Sequence, residues 1–95
     1  MTVLSADTVV QRRSDLLAND LSATETVMLD VAGSSYYGVK DVGKVIWEHL
    51  DSPMSVDALC ERLLTQFGVD RDTCRRETTA FLEALYERGL IVVTH

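Results

Sequence analysis

The last 55 residues place apolar side chains at the three-to-four-residue spacing of amphipathic helices. A first helix is predicted to begin after Asp41, a second after Ser55, and a third after Asp70 or Asp72. Acidic and hydroxyl residues at these positions are typical N-caps. The third helix is predicted to run to about Arg88.

Three residues mark where these helices end. Pro53 disfavours helical backbone at the residue before it and so separates the first two helices. Gly68 and Gly89 suit the left-handed conformation that ends many helices. The pattern therefore predicts three short helices joined by tight connections.

The first 40 residues contain the β-branched and aromatic runs that favour strands. One run is Val9–Gln11, which residues 16–17 extend weakly. Residues 26–31 and 35–39, joined by a turn around Gly33, predict a β-hairpin. The two-residue period of a strand puts one apolar set of the first hairpin strand on a single face: Val27, Leu29 and Val31.

This order of strands followed by helices predicts one α+β domain over residues 1–95. A small three-stranded antiparallel sheet would pack on three α-helices, which it needs because an isolated hairpin is marginally stable in water. The tail Ile91–Val93 is either a last short strand or a packed tail. A chain of 95 residues has room for a single hydrophobic core.

Charge and hydropathy exclude several classes of protein. The net charge is −6, from 15 acidic and 9 basic residues, so we expect weak binding to nucleic acid and to anionic membranes. The longest apolar run, Leu90–Val93, is far shorter than the ~20 residues that span a membrane. The N-terminus lacks the basic and apolar regions of a signal peptide, so we expect a cytoplasmic protein with reduced Cys60 and Cys74.

No motif indicates catalysis, a metal site or an organic cofactor. The residues that could ligate a metal, His49, His95, Cys60 and Cys74, lack ligand spacing, and both cysteines fit a helix core. Nucleotide-binding and nucleophile motifs are absent from the sequence. An acyl carrier is disfavoured because Ser52, the candidate for the prosthetic arm, is followed by proline. We expect a non-enzyme.

A winged helix-turn-helix DNA-binding protein remains an alternative. Three arginines near the start of the third helix, Arg71, Arg75 and Arg76, could belong to a recognition helix. The same helix carries several carboxylates, however, and a DNA-binding domain normally shows a basic surface. Pairing of Asp72 with Arg76 four residues later is the simpler explanation of this charge pattern.

The third helix carries two neighbouring stripes about 90–100° apart. One is predicted to face the core and consists of Cys74, Thr78, Phe81 and Leu85. The other is amphipathic, suits the wall of a binding groove, and consists of Arg75, Thr79, Leu82 and Tyr86. The alternative is that Leu82 and Tyr86 only widen the core face.

The second hairpin strand is the other candidate binding element. Tyr36 and Tyr37 are adjacent, so they point to opposite faces and only one can enter the core. If the strand lies at the sheet edge, it can accept an added strand from a peptide or from a second copy of the chain. The candidate strand residues are Ser35, Tyr36, Tyr37, Gly38 and Val39.

From Asp7 to Val93 the chain resembles the PqqD-like family, the peptide-recognition elements of ribosomal natural-product pathways. The resemblance is strongest in residues 27–30, Gly33, 36–39, 42–43 and 46–47, where the family has apolar-Leu-Asp, Gly, Tyr-Tyr-x-Leu-Asn, x-Gly and Ile-Trp. Val39 and Lys40 depart from the usual Leu and Asn. Residues 56–70, 81–85 and 89–91 are similar to its second helix and its C-terminal end.

The resemblance implies a winged-helix-like fold and a non-catalytic role. Family members bind the leader segment of a precursor peptide, which adds as a strand beside the third strand and rests on the third helix. Tyr36, Tyr37 and Val39 match the binding strand, whereas Arg75, Thr79, Leu82 and Tyr86 correspond by topology alone. A free-standing chain of this length resembles those that deliver leaders to a cysteine-protease leader peptidase in lasso-peptide pathways. A radical-SAM partner, as in PQQ pathways, is the alternative.

Overall fold

A computed structural model describes residues 4–30 and 35–94. It contains three helices and antiparallel strands, which confirms the α+β prediction. The elements in chain order are β1 (Val9–Arg12), β2 (Leu17–Ser22), β3 (Glu25–Asp30), β4 (Ser35–Lys40), α1 (Val42–His49), β5 (Met54–Ser55), α2 (Val56–Phe67), α3 (Arg71–Glu87) and β6 (Ile91–Thr94).

The described strands form two three-stranded sheets, of which the sequence predicted only one. The first has the order β5-β1-β6 and the second the order β2-β3-β4. Ile91–Thr94 is a strand paired with β1, so the tail is part of a sheet. The prediction that residues 16–17 extend β1 is wrong, because Leu17 begins β2 in the other sheet. All six residues of β2 are exposed, so no alternation of buried and exposed positions marked it.

The predicted β3–β4 hairpin is confirmed, with Val27 opposite Gly38. Val27 and Leu29 share one face of β3, as the two-residue period predicts. The buried face is the other one, since Met28 and Thr26 are buried whereas Leu29 is exposed. Met28 joins the core, and Thr26 accepts a hydrogen bond from a buried lysine. Val31 and the turn around Gly33 lie outside the described residues.

Each described helix begins directly after its N-cap residue, and two of the three N-cap side chains make a capping hydrogen bond. The Ser55 side chain accepts a hydrogen bond from the Ala58 N–H, and that of Asp70 accepts one from the Thr73 N–H. Asp41 occupies the N-cap position of α1, but its side chain makes no capping bond. Its φ of 56° is unusual for a residue other than glycine, and this backbone geometry separates the side chain from the helix start.

Helix α3 ends in the Schellman motif that the sequence predicted. Gly89 has a φ of 73° and donates from its N–H to the Tyr86 carbonyl at 3.0 Å. The Leu90 N–H reaches the Leu85 carbonyl at 2.9 Å, which completes the motif. This turn directs the chain back into β6.

The core lies between the three helices and the inner faces of both sheets. Cys60 and Cys74 are buried free thiols, as expected. Burial raises the pKa of the Cys60 thiol, so it stays protonated and unreactive. The described part of the chain has no helix long and apolar enough to cross a membrane.

Candidate functional site

Strand β4 lies at one edge of its sheet and pairs on one side with β3. The Asp41 N–H donates to the Thr24 carbonyl at 2.8 Å, in register with the β3–β4 pairs. In an antiparallel ladder, residues alternate between bonding the neighbour and facing away from it. Counting back from Asp41, Val39 and Tyr37 bond to β3. The residues whose N–H and C=O groups point to the free edge are therefore Tyr36, Gly38 and Lys40.

The two tyrosines of β4 face opposite sides, as predicted. Tyr36 is 74% exposed on the outer face of the sheet. Tyr37 packs against the core, and the Arg88 guanidinium lies 4.7 Å from the centroid of its ring. Val39 is buried on the same side as Tyr37. The inner face of β4 therefore looks toward the C-terminal half of α3.

Helix α3 buries three of the four residues of its predicted core stripe, Cys74, Thr78 and Leu85, together with Leu82, which fits the alternative that Leu82 widens the core face. Leu82 is 0% exposed, so the expectation that it lines an open groove is corrected: it packs in the core. Phe81, predicted as core, is only half-buried.

Phe81 lies on the flank of α3 that faces β4. A Cβ built on Gly43 would come within 3.2 Å of the Phe81 ring and 3.7 Å of the Val39 Cβ. The absence of a side chain at Gly43 therefore lets α1, α3 and the end of β4 meet. Arg88 lies on the same flank, about 20° from Phe81 around the helix axis.

The other predicted α3 residues lie on the opposite flank. Arg75 pairs with Asp57 of α2, with 3.6 Å between Nη1 and Oδ1. Thr79 and Tyr86 are each rotated about 140–160° from Phe81, so they point away from β4. The structure brings together the five β4 candidates but leaves Arg75, Thr79 and Tyr86 on another side of α3.

An apolar cavity of about 430 Å³ opens beside the end of β4. Three of its lining residues, Val42, Phe67 and Val69, are apolar but exposed. The complete lining is Val42, Gly43, Ile46, Leu63, Phe67, Val69, Thr73, Cys74, Glu77, Thr78 and Phe81. The sequence analysis missed this cavity because its walls come from three helices. The apolar residue Val69, which lies outside the predicted helix stripes, was the available signal.

Charged groups lie at both ends of the flank of α3 that faces β4. Arg88 covers Tyr37 at one end, and Glu77 lines the cavity at the other, about 16 Å away along the helix. Within residues 4–30 and 35–94, neither side chain takes part in an ion pair. Tyr37, Val39, Phe81, Arg88 and the cavity form what we call the β4–α3 groove. The same described residues contain no cluster of three metal-ligating side chains.

The profile of the family described as coenzyme PQQ synthesis protein D (PqqD) matches residues 25–91. The chain belongs to the PqqD family. The matched segment contains every element of the β4–α3 groove, and it confirms the resemblance found in the sequence. Among curated proteins, none matches this sequence.

A solved structure similar to this member of the PqqD family is that of TbiB1 in complex with the TbiA(beta) leader peptide. The two chains are 25% identical, with a TM-score of 0.77 over 85% of this chain and 93% of TbiB1. The two proteins thus share most of their fold.

Proposed function

We propose that this protein binds the leader segment of a ribosomally made precursor peptide and presents it to a tailoring enzyme, without catalysing a reaction itself. The observation that carries the proposal is the free edge of β4 beside the β4–α3 groove. The similarity to TbiB1, whose structure contains a leader peptide, supports the same assignment.

The leader pairs antiparallel with Ser35–Lys40 as a fourth strand of the β2-β3-β4 sheet. Main-chain hydrogen bonds to Tyr36, Gly38 and Lys40 give affinity that depends little on leader sequence. Leader side chains beside Tyr37 and Val39 point to the same face as those residues, because facing residues in a sheet share a side. Every second leader side chain thus enters the groove.

The groove selects leader residues by size and charge. A large aliphatic or aromatic side chain suits the cavity, whose walls are mostly apolar. An acidic leader residue beside Tyr37 pairs with Arg88, and a basic one beside the cavity pairs with Glu77. Arg88 is thus the cation of the groove, whereas the guanidinium of Arg75, from the predicted stripe, faces Asp57.

The partner that we favour is a cysteine-protease leader peptidase of a lasso-peptide pathway, with both proteins in the cytoplasm. A radical-SAM enzyme of a PQQ-type pathway is the alternative partner. Neither requires a cofactor on this chain. The genes beside this one distinguish the two, since a lasso-peptide pathway also has a short precursor gene and an asparagine-synthetase-like gene.

Titration of a synthetic leader into two Gly38 variants tests strand addition. Gly38→Pro removes an N–H from the free edge and spares the bonds to β3, which is where proline is tolerated in a sheet. Gly38→Ala is the matched control, because its Cβ would meet the Val27 Cγ2 at an ordinary 3.7 Å and the N–H remains. We expect calorimetry to show at least tenfold weaker binding for Gly38→Pro and nearly unchanged binding for Gly38→Ala.

Equal leader affinity in folded Gly38→Pro and wild-type protein would place the binding site elsewhere. The free edge of β4 could also pair with a second copy of the chain. Sedimentation of the protein with and without leader separates these cases, because a leader that occupies the edge dissociates such a dimer.

A further inference from the structure

The outer face of the β2-β3-β4 sheet presents a row of large apolar side chains to solvent. Leu17 pairs with Leu29, and Leu29 pairs with Tyr36, so the three lie side by side across the strands. They are 57%, 37% and 74% exposed. Leu21, at the β2 bulge, is 66% exposed and lines a hollow with Val27 and Gly38. We call Leu17, Leu21, Leu29 and Tyr36 the outer apolar face.

This inference rests on the proposed function, in which the leader pairs with β4. The outer apolar face includes Tyr36 of that strand, so it is continuous with the bound leader. A leader strand beside β4 alternates its side chains between the groove and the outer side of the sheet. Its outward residues, opposite Tyr36 and Gly38, widen this surface by one strand. A protein that covers this face therefore touches the domain and the bound leader together.

The size of the face argues against a stable homodimer. Three strands about 4.8 Å apart and six residues long cover about 300 Å². Stable interfaces bury about 800 Å² on each partner, so this area suits a transient contact. The net charge of −6 also disfavours a second copy of the chain at this surface.

We propose that the outer apolar face is the docking surface for the tailoring enzyme, which binds it transiently and in preference when the leader is present. The enzyme surface that fits has an apolar centre. Because the leader supplies part of the contact area, the empty domain offers a smaller surface. The tailoring enzyme therefore binds the domain with a bound leader more tightly than the empty domain.

The probes are a synthetic precursor peptide and a purified cysteine-protease leader peptidase of a lasso-peptide pathway, the proposed partner, with its active-site cysteine replaced by alanine. Leu17→Thr/Leu29→Thr and the single variant Leu21→Thr remove apolar area and keep β propensity. Val92→Thr is the matched control, because Val92 is an exposed strand residue of the other sheet. Thermal melts establish that each variant is folded.

We expect each outer-face variant to bind the precursor within twofold of wild type. Protease affinity for the loaded double variant should fall at least tenfold, with a smaller fall for Leu21→Thr and none for Val92→Thr. Unchanged protease affinity in both outer-face variants, with normal precursor binding, overturns the docking surface and leaves the proposed function standing. A wild-type protein that does not bind the precursor overturns both the docking surface and the proposed function. A wild-type dimer that Leu17→Thr/Leu29→Thr dissociates assigns the face to a second copy and overturns the proposal.

Discussion

At the scale of single residues, Lys44 connects α1 to the β2–β3 hairpin. Its side chain is buried, and Nζ donates to the Asp20 carboxylate at 2.8 Å and to the Thr26 hydroxyl at 2.9 Å. Glu48 lies 3.2 Å from the same atom. A lysine in an amphipathic helix usually lies on the solvent-exposed side, so the sequence could not predict this contact. Asp20 and Thr26 lie 24 and 18 residues away in the chain, on two different strands, and Asp20 belongs to the fully exposed β2.

Replacing Asp20 should make the protein less stable in a pH-dependent way. Hydrogen bonds from Lys44 and then Thr26 lower the pKa of the Asp20 carboxyl. A carboxyl with a lowered folded-state pKa stabilises the fold above its ordinary pKa of about 3.9. That contribution is lost as the pH falls through the lower, folded-state pKa. Melting curves should therefore show Asp20→Asn below wild type at pH 7, with the gap closing as the pH falls below the ordinary range of a carboxyl pKa.

A matched variant separates this contact from a general effect of charge. Asp51→Asn removes a carboxylate from an exposed pair with Arg12 and should change the melting temperature less, because exposed pairs contribute little. A difference between Asp20→Asn and wild type that persists unchanged in acid would contradict the role given to the carboxylate.

Arg88 and Arg75 offer a paired test of groove polarity. Arg88→Gln should weaken binding of a leader with an acidic residue near Tyr37 by about 2–5-fold, the loss of one exposed charge contact. Arg75→Gln should leave affinity unchanged, since Arg75 faces Asp57 on the other flank. Calorimetry at low and moderate salt measures both. The opposite result, with Arg75 as the sensitive residue, would restore the stripe that the sequence predicted.

At the scale of elements, the sequence predicted the helices and three of the four core residues of α3, but it placed Phe81 in the core where Leu82 lies. Helix bounds depend on local signals such as Ser55, Asp70 and Gly89, which act within one turn. The side of α3 that faces β4 depends on how distant segments pack. Leu82 and Phe81 are both apolar and adjacent, and only the close approach at Gly43 decides which one borders the groove.

Truncating Leu82 should affect stability rather than binding. Leu82→Ala leaves a cavity in the core and should lower the free energy of unfolding by about 2–5 kcal/mol. Tyr86→Ala, on the neighbouring exposed surface, is the control with a smaller loss. Urea denaturation gives the stability, and titration of the folded fraction gives the leader affinity. Weaker binding by Leu82→Ala with an unchanged unfolding midpoint would show that Leu82 touches the leader.

At the scale of the whole molecule, the acidic balance separates peptide binding from DNA binding. A chain with a net charge of −6 gains little from releasing counterions from a phosphate backbone. We expect no binding to duplex DNA at about 150 mM salt, where nonspecific protein–DNA contacts are already weak. Fluorescence anisotropy with labelled duplexes checks this. Specific DNA binding without leader binding would favour the winged helix-turn-helix alternative.

The arrangement of the two sheets could not be predicted from the sequence, because it also depends on contacts between distant segments. β3 pairs with β2 on one side and with β4 on the other, but all six residues of β2 are exposed, so no alternation of buried and exposed positions marks that strand. The edge position of β4 was predicted correctly, because Ser35–Lys40 is the last strand before the helices. The apolar cavity needed the helices in place before its walls could be recognised.

Amide hydrogen exchange with and without the leader is the measurement that tests strand addition most directly. In the free protein, the amides of Tyr37 and Val39 should exchange slowly because they bond to β3, whereas those of Tyr36, Gly38 and Lys40 should exchange quickly. Leader binding should slow these three at least tenfold and leave the first two nearly unchanged. New protection at β6 or β2, with the three edge amides still fast, would contradict the account.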